Sequence, residues 1–118
     1  MNKCEIIYYI SSNGNNPVKD FLESISKIQK SKAFRVFMTF QKYGLSSIMP
    51  HIKKLSGTPL WELRILGGDN IRIVYFIPHK EAILVLHGFV KKSQKTPEKE
   101  LSLALKRYKD YLDRTPKI

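Results

Sequence analysis

The stretch KKLSGTPLWELRILGGDNIRIVYFIPHKEAILVLHGFVKKSQKTP, residues 53–97, decides the fold of this 118-residue chain. Three of its runs, about 61–66, 71–77 and 82–90, are rich in β-branched and aromatic residues and read as strands. GGDN joins the first two and carries the Gly and Asn that positive φ angles require. PHKE makes a short polar turn before the third. Joints of this length make the strands antiparallel neighbours. A further short strand is predicted at Ile52–Leu55.

Basic residues punctuate the same runs. Alternation puts Trp61, Leu63 and Ile65 on one face of their strand and Glu62, Arg64 and Leu66 on the other. Arg72 shares a face with Val74 and Phe76, but both faces of its strand are largely apolar, so alternation leaves it unassigned. His87 has the parity of Val85 and Phe89, and Gly88 leaves a gap where a backbone or ligand can approach. Lys91, Lys92 and Lys95 follow the last strand. If helices cover one sheet face, Glu62 and Arg64 point to the other, which stays open for a ligand.

Upstream, EIIYYI (5–10) is a strand and SSNGNNP a loop. Asn16 and Pro17 make an N-cap with proline at the first helical position. Val18, Phe21, Leu22 and Ile25 recur at helical spacing, ending near Ile28. Ser31 is the cap expected for a second helix, with Ala33, Val36, Phe37 and Phe40 on its apolar face and Gly44 closing it. Together they suggest a helical hairpin. Downstream, Thr96 is the expected cap of a last helix with Pro97 at its first position and Glu98 and Glu100 in its first turn. Leu101, Ala104, Leu105, Tyr108 and Leu112 mark its buried face. The order is β-α-α-(β)-β-β-β-α, an α+β fold in one domain, 1–118.

Lys and Arg number 21 against 10 Asp and Glu, a net charge of +11 that calls for a polyanionic partner. The single cysteine, Cys4, excludes an internal disulfide and a cysteine-based zinc cluster. The N-terminal apolar run is too short for a signal peptide, and no stretch has the length of a membrane span. A cytoplasmic protein with no membrane partner is expected.

Each candidate has a plainer reading beside the functional one. Arg64 can be a solvated strand residue paired with Glu62 or Asp69. Arg72 can be a partly buried arginine satisfied by backbone carbonyls. The lysines at 91, 92 and 95 can be a solvated loop, and Lys53 and Lys54 an edge guarded against aggregation. His87 within an apolar strand can be a satisfied core residue, and His51 and His79 look like loop histidines. Arginine is nevertheless the side chain best matched to phosphate. No nucleophile–His–acid set, glycine-rich phosphate loop or metal-ligand spacing stands out, so neither metal nor cofactor is expected. RNA supplies its own nucleophile, the 2′-hydroxyl. Its cleavage needs alignment, charge stabilisation at the phosphate and proton transfer.

The L-W-E-L-R, R-I-V-Y-F and H-G-F-x-K-K-x-x-K-T-P motifs, within a match from about Val18 to Tyr111, resemble the RelE/HigB superfamily of type II toxins. The phage-derived HigB-like branch is the most similar. The resemblance implies a RelE-like small, mostly antiparallel sheet with an N-terminal helical hairpin and a C-terminal helix. It implies a ribosome-dependent mRNA endonuclease, metal-independent, whose partners are the ribosome, mRNA and a helix-turn-helix HigA-like antitoxin. By position, Arg64 and Arg72 match catalytic cations, and Lys91 or Lys92 the basic site after the last strand. Glu62 stands where the RelE branch carries lysine, and the late tyrosine of that branch has no counterpart; as candidates in their place, Glu62 is a base, an orienting partner for Arg64 or neither, and His87 replaces the missing acid unless its ring faces the helices. Lys53, Lys54 and Lys95 are expected to bind RNA. The alternative is a non-catalytic module on the same fold that binds nucleic acid or an antitoxin-like partner.

Overall fold

The computed structural model describes residues 4–65, 70–79, 81–91 and 96–115. Its elements are β1 (Glu5–Tyr8), α1 (Pro17–Ser24), α2 (Lys27–Tyr43), a 3-10 helix (Leu45–His51), β2 (Ile52–Lys54), β3 (Leu60–Ile65), β4 (Ile71–His79), β5 (Ala82–Val90) and α3 (Glu98–Arg114). The strands form one sheet in the order β1-β5-β4-β3-β2. β1 runs parallel to β5 and all other pairs are antiparallel. The α+β architecture expected from the sequence is the one observed.

Local chemistry sets the helix ends, with three shifts from expectation, the first being that α1 stops at Ser24 rather than near Ile28 because α2 already begins at Lys27. Asn16 caps α1 as expected, its side chain accepting from the Lys19 amide. Ser26, not Ser31, caps α2: Ser26 Oγ accepts from the Gln29 amide while Gln29 Oε1 accepts from the Ser26 amide. This reciprocal box satisfies two amides that Ser31, one turn inside the helix, cannot reach. Gly44 ends α2 at φ 88°, a left-handed value that favours glycine. Thr96 does not cap α3, which Pro97 precedes without a side-chain cap; its hydroxyl is used elsewhere. Of the GGDN turn, Asn70 has φ 55°, whereas Gly67, Gly68 and Asp69 lie outside the described residues.

The sheet is covered on both faces. Val18 and Leu22 of α1 and Ala33, Phe37 and Phe40 of α2 pack on one face against Leu63, Ile71, Ile73, Tyr75 and Val85. On the other, Ala104, Leu101, Leu105 and Tyr108 of α3 pack on Leu60, Val74, Phe76, Leu84, Leu86 and Phe89. The expectation of an open second face is therefore corrected: the apolar stripe of α3 must be buried, and this face is the one available to it. Two-sided cover explains why β5, from Ala82 to Phe89, is buried throughout and reads as one apolar run. It also fixes register. A one-residue slip of β4 would drive Arg72 into the α1–α2 core and expel Ile71 and Ile73, whose burial is worth about 1.5–3 kcal/mol each.

A bulge breaks the alternation of β5. Val74 faces His87 but the next residue, Tyr75, faces Val85, so Leu86 is an extra residue. His87 consequently points to the α3 side with Phe89 and Leu86, while Val85 points to α1 and α2. The shared parity of His87 and Val85 expected from strict alternation does not hold. Gly88 offers no opening either. A Cβ there would stand 2.4 Å from Phe21 Cδ2, so the ring of α1 already occupies the space.

Candidate functional site

Register gathers the cations around one carboxylate. Arg64 of β3 lies directly opposite Arg72 of β4, and Glu62 lies opposite Val74. Glu62 and Arg72 are thus diagonal neighbours on the α3 side of the sheet. Glu62 is fully buried. Its Oε1 lies 3.2 Å from Arg72 Nε and 3.8 Å from Lys91 Nζ. Neither Glu62 Oε1 nor Arg72 Nε has an aligned hydrogen bond, so that contact is ionic rather than directional. Glu62 Oε2 accepts the hydroxyl hydrogen of Thr96. The side chain of Thr96 is spent on this carboxylate, which is why it does not cap α3.

Lys91 reaches the same centre from the end of β5, where its amide donates to Asn70 O at 2.7 Å. The Lys91 and Arg72 side chains are only 8% and 13% exposed. Arg64 is exposed. The pairing of Arg64 with Glu62 does not occur, because Arg72 and Lys91 occupy the carboxylate. Glu62 thus holds two cations, and Arg64, opposite Arg72 in the register, adds a third positive charge at the surface beside them.

Around this centre the other candidates divide. Lys53 stands opposite Glu62 and shares its sheet face, at the exposed edge strand. Lys54 stands opposite Trp61 on the other face, its Nζ 5.4 Å from the centre of that ring and donating to Thr58 O at 2.7 Å. Lys92 and Lys95 lie outside the described residues. His79 is exposed at the end of β4.

His87 belongs to a second polar group under α3. Its Nε2 lies 2.8 Å from Glu100 Oε1, and its Nδ1 lies 3.1 Å from Arg107 Nη1, which also donates to Leu86 O at 2.9 Å. A guanidinium only donates, so Nδ1 is the acceptor and Nε2–H donates to Glu100. Burial, the largest cause, holds the His87 pKa below the ordinary imidazole value; Arg107 adds to the lowering and Glu100 opposes it. The ring stacks on Phe89 with centroids 5.5 Å apart. Both nitrogens are engaged within the fold. Arg107, which sequence reading did not single out, and Glu100, read there only as a first-turn acid, are seven positions apart on one face of α3, and that spacing is the signal that could have found the pair.

A third group escaped the sequence altogether. Lys32, Arg35 and Val36 of α2, His51 at the end of the 3-10 helix, and Arg64 and Ile65 of β3 line a cleft of about 220 Å³. No carboxylate of the described residues lines it. Among the described residues, no three His, Cys, Asp or Glu come together as a set that could hold a metal, and no helix is long and apolar enough to cross a membrane.

The model of the family described as Phage derived protein Gp49-like (DUF891) matches residues 20–109, from α1 through most of α3. The chain belongs to this family. The Gp49-like family is toxin-like, of the RelE/HigB type. The match spans every residue of the Glu62 cluster and of the α3 group, and the five-stranded, mostly antiparallel Gp49-like sheet described above is compatible with a RelE-like fold. No curated protein matches the Gp49-like chain.

Proposed function

We propose that this Gp49-like protein is the toxin of a type II toxin–antitoxin pair, of the phage-derived HigB-like branch, and an endoribonuclease that cuts mRNA on the ribosome in the cytoplasm. The observation that carries this is a buried carboxylate that holds two cations, Arg72 and Lys91, with exposed Arg64 opposite Arg72, in a chain of net charge +11. Such a cluster suits a reaction whose nucleophile is the RNA's own 2′-hydroxyl. Exposed Arg64 contacts the scissile phosphate. Arg72 and Lys91 supply fixed positive potential where charge grows in the transition state, in a site dry enough for that potential to be effective. Glu62 holds both in place, which makes it a positioning residue. Lys53 and, from the adjoining segment, Lys92 and Lys95 bind the flanking RNA backbone. His87, with both nitrogens committed to α3, anchors the helix and moves no proton. A helix-turn-helix antitoxin of HigA type is the proposed partner.

Expression of the chain alone should arrest growth and leave mRNA 5′ ends inside translated codons. Arg64→Ala should lower ribosome-dependent cleavage about 100-fold or more while shifting stability by no more than about 0.5 kcal/mol, as for an exposed residue. A folded Arg64→Ala protein that remains fully toxic would sink the assignment. A second reading, an RNA-binding module without cleavage, is favoured by the burial of Lys91, the partial burial of Arg72 and the engagement of His87. It predicts salt-sensitive RNA binding with intact mRNA.

A further inference from the structure

We infer that the edge of β1 and the groove beside it are a self-association surface, on which a second copy of this chain adds its own β1 antiparallel across a two-fold axis. Among the described residues, the two edges of the sheet differ in kind. β2 has three residues, two of them lysines, a composition that resists pairing. β1 is Glu5, Ile6, Ile7 and Tyr8, with its one charge at its start. The Glu5 amide donates to Glu81 O at 2.8 Å and the Tyr9 amide to Val85 O at 2.9 Å. Alternate residues of a parallel pair face the neighbouring strand, so Ile6 and Tyr8 turn their backbone N–H and C=O groups outward. With Ile7 on the axis, Ile6 of each copy stands opposite Tyr8 of the other. Each such pair exchanges both of its backbone hydrogen bonds, and the two five-stranded sheets become one.

The side chains fit the same axis. Ile6 and Tyr8 lie on the α2 side of the sheet and line a groove of about 530 Å³. Ile10, Phe34 and Met38 in its wall are 48%, 40% and 66% exposed. Pairing stacks Ile6 on Tyr8 of the second copy and closes the two apolar walls on each other. Charge selects a second copy over a uniformly acidic strand. The Cys4 amide donates to Gln41 O at 3.4 Å, and the rings of Tyr8 and Phe37 have centroids 6.4 Å apart, so α2 runs antiparallel to β1 along the groove. Glu5 is therefore at the Gln41 end, and Lys30, one turn before Phe34 on the same face of α2, lies past the other end. A two-fold axis sets the Glu5 end of each copy against the Lys30 end of the other, whereas an acidic strand meets Glu5 with like charge. The net charge of +11 opposes this association only weakly. Arg64 is on β3, three strands in from β1, so the Arg64 side chains of paired copies are about 34 Å apart, against a screening length of about 8 Å.

Sedimentation equilibrium of the full chain from about 1 μM to about 1 mM measures the association, and hydrogen exchange follows the Ile6 and Tyr8 amides over the same range. Wild type should pass from monomer to dimer, with both amides slowing as the dimer forms. Phe34→Lys/Met38→Lys should weaken the dimer about 100-fold or more. Met49→Lys, which changes an exposed side chain of the 3-10 helix, should not. Glu5→Lys should weaken it about fivefold at low salt, and Glu5→Lys/Lys30→Glu should restore it. Circular dichroism checks that each variant is folded. A wild type that stays monomeric throughout, a dimer whose Ile6 and Tyr8 amides exchange as in the monomer, or equal losses in the groove and Met49 variants would each overturn the inference. So would a charge swap that fails to restore association. RNA cleavage is scored separately. It concerns the cluster toward the other edge of the sheet, so a protein that dimerises without cutting RNA loses the toxin function and keeps this surface.

Discussion

Replacing Glu62 with glutamine removes one charge and almost no volume, and the structure makes it a costly substitution. The Glu62 side chain is 1% exposed, and its Oε1 lies 3.2 Å from Arg72 Nε and 3.8 Å from Lys91 Nζ. At an effective dielectric of about 20, these contacts correspond to gross attractions of about 5 and about 4 kcal/mol. Desolvation of all three groups offsets much of that. After the substitution the offset remains and the attraction does not, because two largely buried cations then face each other across a neutral amide. Breaking a buried ion pair from one side costs about 3–5 kcal/mol, a large share of the stability of a domain this size. Trp61 is the sole tryptophan and neighbours Glu62 in β3, so its fluorescence reports urea unfolding at the site itself. Glu62→Gln should lower the midpoint by the equivalent of about 3 kcal/mol or more with an unchanged m-value. Glu62→Leu combined with Arg72→Leu and Lys91→Met should recover much of the loss, because no buried charge then lacks a partner. A Glu62→Gln protein within about 0.5 kcal/mol of wild type would refute the claim that this carboxylate organises the cluster.

His87 makes stability depend on pH in a stated direction. Its folded pKa is lowered from 6.5, chiefly by burial, so the unfolded chain binds a proton that the folded chain resists. The His87 contribution is complete above pH 6.5 and is lost as pH falls through the lowered folded value. Thermal midpoints of wild type should fall more steeply below pH 6.5 than those of His87→Gln, and parallel curves would show that the ring does not sense this burial. Gly88→Ala should cost about 1–3 kcal/mol, because its Cβ meets Phe21 at 2.4 Å. Adding Phe21→Leu should make the double variant less destabilised than the sum of the two single ones; additive losses would exclude the contact.

Much of the fold was legible because it rests on local rules. β3 to within a residue, the bounds of β5, the Asn16 cap and the Gly44 stop follow from residue type and spacing, whereas β4 runs on through Pro78 to His79, where a turn was expected after Ile77. Other features were not, and each for a tertiary reason. Thr96 has the composition of a cap, yet Glu62, 34 positions away in sequence, takes its hydroxyl. Strict alternation misplaced His87 relative to Val85, because an extra residue in the middle of a fully apolar run leaves no mark in the pattern. The cleft was missed because Arg35 and His51 belong to elements that meet only when the 3-10 helix folds back against α2 and β3.

What the sequence by itself determined is the chemistry available: an excess of cations among apolar strands, no metal-ligand spacing, and family motifs from α1 to α3. Which cations act together was decided only by the tertiary structure. Strand register put Arg72 and Lys91, but not Arg64, on the buried carboxylate of Glu62, and α3 covered the face that alternation had left open. The physical reason is that periodicity assigns a side chain to a face, whereas its neighbours and its access to water depend on what the rest of the chain packs against that face.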